Sequence, residues 1–275
     1  MTFEIVTCVN DGRVSDLRNL LRSIRHRLPD APVRVIPFTG ETREAQSVAA
    51  HYNARWEDAD PFWDDLGKRI YAEELYRPSS PSWTYFRKLN MFNASDMPRL
   101  FLDANCLLLA ADAGMGAIMD GRADVVFHSG ATRGRNFDER FAAYVEAIAP
   151  EGFNAMGYNL GHCAFTPDAA HRVRLFAEAI GGNIRAVLGK APEQAFLSFA
   201  LLHSGLRSRL LCQLDEGAAI TNSAKFAVER RSDGTFAYAK GPHRGKTLVT
   251  IKRAAAKQAP STGYDSVLPM AVGEG

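Results

Sequence analysis

The sequence predicts an α/β protein with a single mixed, mostly parallel sheet flanked by helices. Short apolar runs alternate with longer segments of helical periodicity through most of the 275 residues, as in consecutive βα units. No internal repeat and no linker-like stretch interrupts this alternation. We therefore expect one domain over residues 1–253, followed by a C-terminal surface tail over residues 254–275.

The first strand and helix show how each element is assigned. The apolar run over residues 3–9 ends at the turn signal Asn10-Asp11-Gly12. Leu17, Leu21 and Leu28 then fall at helical spacing and predict a helix over residues 14–27. By the same criteria, further strands are predicted over residues 32–38, 54–56, 99–103, 123–128, 158–165, 206–211 and 247–251. Further helices are predicted over residues 42–52, 62–76, 83–93, 111–119, 137–148, 168–180 and 193–203.

Composition and cysteine spacing are those of an ordinary globular protein. The chain is 46% apolar with a net charge of +2, and its four cysteines are widely spaced without a CxxC pair, which favours reduced, mostly buried thiols. The N-terminal residues lack the pattern of a signal peptide, and no apolar run approaches the ~20 residues of a membrane span. We expect a cytoplasmic protein, with a peripheral contact at the inner face of a membrane left open. The oligomeric state is not predicted.

The small net charge hides a basic segment over residues 225–257. It contains nine Lys or Arg residues but only two acids, Glu229 and Asp233. This segment favours an anionic partner, and a phosphorylated small molecule, an anionic lipid surface or a nucleic acid would each fit its charge. Because nucleic-acid binding explains this segment better than it explains the rest of the chain, we expect no nucleic-acid partner.

The most informative stretch is Asp103-Ala104-Asn105, at the end of the predicted strand over residues 99–103. Positions two apart in a strand point the same way, so these two side chains converge on one ligand if the chain stays extended. Their oxygens suit a hard cation such as Mg²⁺ or Mn²⁺. A stronger metal site would have a carboxylate in place of the Asn105 amide.

Four other segments place polar side chains where a ligand could bind. They are Asn10-Asp11 after the first strand, Arg87-Lys88 in an aromatic helix, Asn159 between Gly157 and Gly161, and His243 to Lys246 before the last strand. A cation at Arg87 or Lys88 could reach a phosphate or pair with Asp103. Each segment also has a purely structural interpretation: a helix-capping turn, a solvated helix edge, a turn with a bulge, and a basic surface turn, respectively.

The order of these segments resembles the GT-A-fold nucleotide-diphospho-sugar glycosyltransferases, in particular the glycogenin and galactosyltransferase group often called family 8. The resemblance spans about residues 3–250. The matching segments are Asn10-Asp11, Arg87-Lys88-Leu89, Leu102-Asp103-Ala104-Asn105 for Leu-Asp-x-Asp, Tyr158-Asn159-Leu160-Gly161 for Phe-Asn-Ser-Gly, Glu193-Gln194 for Asp-Gln, and His243-Arg244-Gly245-Lys246 for His-x-x-Gly-x-x-Lys. The departures are Asn105 for Asp, Glu193 for Asp, and the shortened last motif.

The resemblance implies a hexosyltransferase that moves a sugar from a nucleotide-diphosphate sugar to a glycan, lipid or protein acceptor, with retention favoured over inversion. It assigns Asp103, Asn105 and His243 to Mn²⁺ or Mg²⁺. It assigns Lys246, Arg87 and Lys88 to the diphosphate and Asn10 and Asp11 to the nucleoside. Asn159, Glu193 and Gln194 are expected to face the sugar and the acceptor.

Asn105 and Glu193 leave alternatives open. Asn105 removes one negative charge, which lowers metal affinity, so either the metal arrives with the nucleotide or the basic segment supplies part of the charge. Glu193 follows Pro192 and could act as a general base for an inverting transfer or simply stabilise a helix start. A catalytically inactive relative that binds a nucleotide or a protein partner is the second function considered. A nucleotidyltransferase ranks lower, since Asn10-Asp11-Gly12-Arg13 is not a glycine-rich basic loop.

Overall fold

A computed structural model describes residues 2–72, 82–110, 115–130, 136–137, 141–180, 191–215, 217–221, 227–241, 243–253 and 262–274. The strands are β1 Glu4–Val9, β2 Val33–Pro37, β3 Arg55–Trp56, β4 Arg99–Leu102, β5 Cys106–Leu108, β6 Val125–Phe127, β7 His162–Phe165, β8 Ser208–Leu210, β9 Ala218–Thr221, β10 Val228–Arg230, β11 Phe236–Tyr238 and β12 Thr247–Lys252. The helices are α1 Val14–Arg27, α2 Arg43–His51, α3 Pro61–Ala72, α4 Met115–Met119, α5 Ala142–Ile148, α6 Pro167–Ile180, α7 Pro192–His203, α8 Leu211–Leu214 and α9 Thr262–Ala271. Two 3-10 helices cover Asp11–Arg13 and Ser82–Phe92.

The larger sheet confirms the predicted fold class. Its seven strands lie in the order β3-β2-β1-β4-β7-β6-β8, and β7 alone runs antiparallel to its neighbours. Alternate residues of β4 enter different cores: Leu100 and Leu102 pack on the side of α1 and α2, and Phe101 packs on the side of α3 and α7. Because both faces are covered, the strands read as continuous apolar runs in the sequence.

The structure also contains a smaller sheet, of which the sequence predicted only strand β12. It has the order β10-β11-β12-β5, with β9 parallel to β12. Strand β5 follows β4 after a turn that the Cys106 N–H closes on the Asp103 carbonyl at 2.9 Å. Strand β12 runs antiparallel to β5 and sets Lys252 opposite Cys106. The end of β12 is thereby brought next to the end of β4.

The helix predicted over residues 83–93 is a 3-10 helix over Ser82–Phe92. Residues three apart share a face in a 3-10 helix, so Tyr85 and Lys88 lie on the same side. The Asn90 side-chain amide donates to the Arg87 carbonyl at 2.8 Å, three residues back, and supports this tighter winding.

The C-terminal segment differs from the expected surface tail. Residues Thr262–Ala271 form α9, which buries Tyr264, Val267 and Ala271 in a core shared with β11 and β12. The surface tail is predicted from the composition of residues 254–263, and the buried positions of α9 lie beyond that stretch. The domain boundary at 253/254 stays a prediction.

Parts of three predicted helices, residues 73–76, 111–114 and 138–140, fall outside the described residues. Cys8, Cys106 and Cys163 are free and buried, whereas Cys212 is exposed. Within the described ranges, no helix has both the length and the apolar composition needed to cross a membrane.

Candidate functional site

Two adjoining cavities open where the carboxyl ends of β1 and β4 meet the start of β7. They measure about 270 and 320 Å³ and share Tyr85, Lys88, Asp103 and Lys252 as lining residues. The first cavity lies against the end of β1, and the second lies against the start of α7. Ligands of open α/β sheets bind outside the carboxyl ends of strands, which makes this edge the candidate site.

The shared wall is a lysine–aspartate cluster of Lys88, Asp103 and Lys252. Lys88 Nζ donates to Asp103 Oδ1 at 2.6 Å, and Lys252 Nζ donates to Asp103 Oδ2. The three side chains are only 17%, 12% and 26% exposed, respectively. The sequence left two contacts open for Lys88, a phosphate or Asp103, and the structure shows the contact with Asp103. Lys88 also lines both cavities.

Electrostatics keep Asp103 and Lys88 charged. Burial alone would raise the pKa of Asp103, but the Lys252 and Lys88 ammonium groups lower it to about 2. Burial likewise opposes the charge on Lys88, yet the Asp103 carboxylate outweighs it and holds the pKa of Lys88 above its ordinary value. The cluster is one anion held between two cations at neutral pH.

Gly161 makes room for the Lys252 ammonium. The Asp103 N–H donates to the Gly161 carbonyl at 2.9 Å, so the two backbones are adjacent. A Cβ on Gly161 would lie 2.9 Å from Lys252 Nζ and 3.1 Å from Asp103 Oδ2. The glycine that the sequence marked for close ligand approach thus accommodates a side chain of the protein itself.

Asn105 does not extend β4 as expected. The turn from Asp103 to Cys106 breaks the alternation on which the convergence of Asp103 and Asn105 was predicted. The Asn105 side chain reaches the first cavity, but its Nδ2 donates to the Arg253 carbonyl at 3.1 Å. The Arg253 N–H in turn donates to the Asn105 carbonyl at 2.8 Å. Asn105 joins the turn to the end of β12.

The expected metal ligands do not assemble. His243 is exposed beside Tyr238, near the start of β12, whereas Lys252 at the other end of β12 contacts Asp103. At about 3.3 Å per residue, β12 separates its two ends by about 16 Å. Among the described residues no group of three His, Cys, Asp or Glu side chains is arranged to hold a metal ion. The donor set offers one carboxylate whose two oxygens already accept from ammonium groups, so it does not fit a divalent cation.

Three other expected binding residues lie outside the lysine–aspartate cluster, and two of them have structural partners. Arg87 binds Asp64 through Nε and Nη2, at 2.8 and 2.6 Å, and donates to the Phe38 carbonyl at 2.7 Å. Asp11 Oδ1 accepts from the Ala45 N–H at 2.9 Å and so caps the first turn of α2. Lys246 immediately precedes β12, at the end remote from Asp103.

The first cavity combines an acceptor with aromatic walls. Asn10 Nδ2 donates to Thr39 Oγ1 at 3.0 Å, and Asn10 Oδ1 is buried without a hydrogen-bond partner among the described residues. Phe38 and Tyr85 line the same cavity with their rings 5.5 Å apart and edge to face. This cavity suits a flat heterocycle with an N–H donor.

The second cavity is more polar and lies at the start of α7. Glu193 and Gln194 are 5% and 7% exposed, and Gln194 Nε2 donates to Glu193 Oε1 at 3.2 Å. Gln194 Oε1 is buried with no partner in the part of the chain that the structure describes. Asn159 lines the same cavity, and its Oδ1 accepts from the Gly161 N–H at 3.0 Å. These oxygens can accept hydrogen bonds from hydroxyl groups.

Sequence reasoning missed Lys252 and Tyr85. Lys252 was visible only as one base of the segment over residues 225–257, and its position depends on the pairing of β12 with β5. Tyr85 was visible only as part of an aromatic run. The available signal was that Tyr85 lies three residues before Lys88. This spacing places the two side chains directly above one another only in a 3-10 helix, which the sequence did not predict.

Comparison with solved structures identifies the fold. No protein-family model matches the sequence, and no curated protein sequence matches it. The galactosyltransferase LgtC, solved with donor and acceptor sugar analogs, is similar over 98% of this chain and 95% of its own, with a TM-score of 0.56 and 14% identity. Mouse xyloside xylosyltransferase 1 in its apo form is similar over 77% of this chain and 86% of its own, with a TM-score of 0.52 and 10% identity.

A third similar structure is the bifunctional glycosyltransferase WbbM in its apo form. The similarity covers 94% of this chain but 46% of that one, with a TM-score of 0.51 and 15% identity. All three similar proteins are glycosyltransferases by description, and each is similar over 77% or more of this chain. The chain has the GT-A glycosyltransferase fold.

Proposed function

We propose that the protein is a glycosyltransferase that moves a sugar from a nucleotide-diphosphate sugar to a glycan, lipid or protein acceptor. The observation that carries this proposal is the shared wall of the two cavities. Two lysines, Lys88 and Lys252, lie between a cavity suited to a heterocycle and a cavity suited to hydroxyl groups. A nucleotide sugar has its diphosphate in the same place, between its nucleoside and its sugar.

The first cavity would bind the nucleoside. Asn10 Oδ1 lacks a partner and would accept from an N–H of the base or a hydroxyl of the ribose. Phe38 and Tyr85 would contact the base through their rings. Arg87 supports this cavity without entering it, because its bond to the Phe38 carbonyl fixes that residue.

The lysine–aspartate cluster would bind the diphosphate and stabilise its departure. In the transfer, the bond from the anomeric carbon to the diphosphate oxygen breaks, and its electron pair stays on the diphosphate. A bond from the acceptor oxygen to that carbon forms, and the hydroxyl proton leaves to a base or to the departing diphosphate. Two ammonium groups beside the leaving oxygen stabilise the charge that develops there.

The second cavity would hold the transferred sugar and the attacking hydroxyl. Gln194 Oε1 and Asn159 would accept from sugar hydroxyls. We propose a retaining transfer in which Glu193 orients Gln194 rather than removing a proton. The anomeric configuration of the product tests this: inversion would assign the general-base role to Glu193 instead.

The decisive experiment is a panel of nucleotide sugars, each tested with Mn²⁺ and with excess EDTA. Thermal unfolding reports binding, and released nucleoside diphosphate reports turnover or slow hydrolysis. We expect stabilisation by one class of nucleoside diphosphate and its slow release from the matching sugar. Stabilisation without any release, also with simple sugars and glycolipids added as acceptors, would favour the inactive relative. The absence of any stabilisation would contradict the proposal.

Replacing Asn10 by Ala is expected to weaken nucleoside diphosphate binding by about tenfold, the effect of one lost hydrogen bond in a buried site. Binding of inorganic pyrophosphate should be unchanged, because Asn10 lies in the first cavity rather than in the lysine–aspartate cluster. Isothermal titration calorimetry with both ligands checks this split. Equal losses of affinity for both ligands would indicate that Asn10 contacts the diphosphate rather than the nucleoside.

A further inference from the structure

We propose that the Lys252 ammonium takes the place of the divalent cation, so that the protein binds the diphosphate of its donor without metal. This inference rests on the proposed function and deepens it. The lysine–aspartate cluster is where a nucleotide-sugar site built on paired strand-end carboxylates would hold its cation. Four features of the structure support the substitution.

The first feature is that both oxygens of the Asp103 carboxylate already accept hydrogen bonds. Asp103 has two oxygens, and Lys88 and Lys252 each donate to one of them. A divalent cation that binds Asp103 must displace Lys252 and then face two ammonium groups at close range. Because like charges repel strongly in a site this buried, the protein's own cation is favoured over an external one.

The second feature concerns Asn105 and His243, the other two residues expected to bind the metal. Asn105 contributes no charge, and its side-chain amide is bonded to the Arg253 carbonyl. His243 lies near the opposite end of β12. Of the three ligands that the resemblance implies, a cation at Asp103 would therefore keep one that is anionic, whereas metal affinity depends on the number of charged ligands.

The third feature is that Lys252 is held in place by the backbone on both sides. It pairs with Cys106 across the two strands, and the next residue, Arg253, donates its N–H to the Asn105 carbonyl at 2.8 Å. Arg253 Nη1 also binds Asp16 Oδ1 at 3.1 Å, and Asp16 is 2% exposed. With its backbone fixed and its ammonium bonded to Asp103 Oδ2, Lys252 is a preformed group rather than a mobile surface lysine.

The fourth feature is charge. Two lysines against one carboxylate leave one net positive charge in the cluster. Lys88 beside a pair of carboxylates would leave one net negative charge until a divalent cation bound. A diphosphate thus meets a positive site before any cation binds, and both ammonium groups retain protons with which to bond its oxygens.

The test is calorimetric titration with the nucleoside diphosphate selected by the panel and with inorganic pyrophosphate, in excess EDTA and in Mn²⁺. We expect wild-type protein to bind both ligands in EDTA, with no gain from Mn²⁺. Replacing Lys252 by Met should weaken binding in EDTA by about 10- to 100-fold, because one charge-assisted bond is lost. Lys240→Met removes the same charge from an exposed position in the turn before β12 and should bind as wild type does.

Gly161→Ala keeps every charge and tests the same point if Lys252→Met does not fold. Its backbone is free of the positive φ that requires glycine, and its methyl group would displace the tip of Lys252. We expect weaker binding in EDTA with little change in melting temperature. Binding by wild type only in Mn²⁺, or unchanged binding by both variants in EDTA, would overturn the inference and leave the proposed function standing. No binding under either condition would overturn both.

Discussion

Replacing Asp103 by Asn is expected to destabilise the ligand-free protein by about 3 kcal/mol and yet to preserve or strengthen metal-free pyrophosphate binding. The destabilisation arises because Lys88 and Lys252, at 17% and 26% exposure, lose the carboxylate that lies between them. The same loss raises the net charge of the cluster by one, which favours an anion. A bound diphosphate then replaces the missing counter-charge, so the ligand should stabilise this variant more than it stabilises wild type.

This expectation is the reverse of what a metal ligand would give. Removing a carboxylate that holds a divalent cation abolishes metal-dependent nucleotide binding. Urea unfolding with and without pyrophosphate, both in excess EDTA, separates the two cases. Asp124→Asn is the control, since its partner Arg207 is 52% exposed and the pair lies outside both cavities, so the loss should be about 1 kcal/mol or less. A variant that is stable but no longer binds pyrophosphate would contradict the counter-ion role.

The free energy of unfolding at acid pH provides a second measurement that compares wild type with the Asp103→Asn variant. The pKa of Asp103 is lowered from 3.8 to about 2, so its stabilising contribution is fully present above about pH 4. That contribution is lost as the pH falls through 2. The stability difference between wild type and Asp103→Asn should therefore shrink over this range, while the difference between wild type and Asp124→Asn remains comparatively small.

Local patterns in the sequence predicted the larger sheet and the contact between Lys88 and Asp103 in the site. The strand leading to Asp103 was evident from three consecutive apolar residues of β4, Leu100, Phe101 and Leu102, which are buried on both faces. The pairing of Lys88 with Asp103 was one of two stated options, because only 15 residues separate them and a helix directly precedes the strand. In both cases, the information lies in neighbouring segments of the chain.

The other half of the site depends on contacts that no local pattern encodes. Lys252 lies 149 residues from Asp103, and the register of β12 on β5 brings them together. The sequence drew attention to His243 and Lys246 instead, because a histidine, a glycine and a lysine close together look like a binding motif. The same strand places those two residues and Lys252 at opposite ends, so the register decides which lysine enters the site.

Arg99 is the residue through which the core is expected to position Lys88. It is 1% exposed, donates from Nε to Glu4 Oε2 at 2.9 Å, and donates from Nη1 to the Met91 carbonyl at 2.7 Å. It also bonds the carbonyls of Asn93 and Ala94. Arg99 thus attaches the end of the 3-10 helix that carries Lys88 to the first and fourth strands of the larger sheet.

Arg99→Met is therefore expected to cost about 3–5 kcal/mol of unfolding free energy and also to weaken pyrophosphate binding. The stability loss follows from unpaired carbonyls and from Glu4, whose carboxylate keeps only Arg34 as a partner among the described residues. Arg34→Met is the matched control: it removes the same charge from the same glutamate, but Arg34 binds Glu57 on its other side rather than the 3-10 helix. Urea unfolding should show a large loss for both variants, whereas calorimetry in EDTA should show weaker binding for Arg99→Met alone. Equal affinities would mean that Arg99 supports the core without positioning Lys88, because the 3-10 helix would then keep its place through its packing against α3.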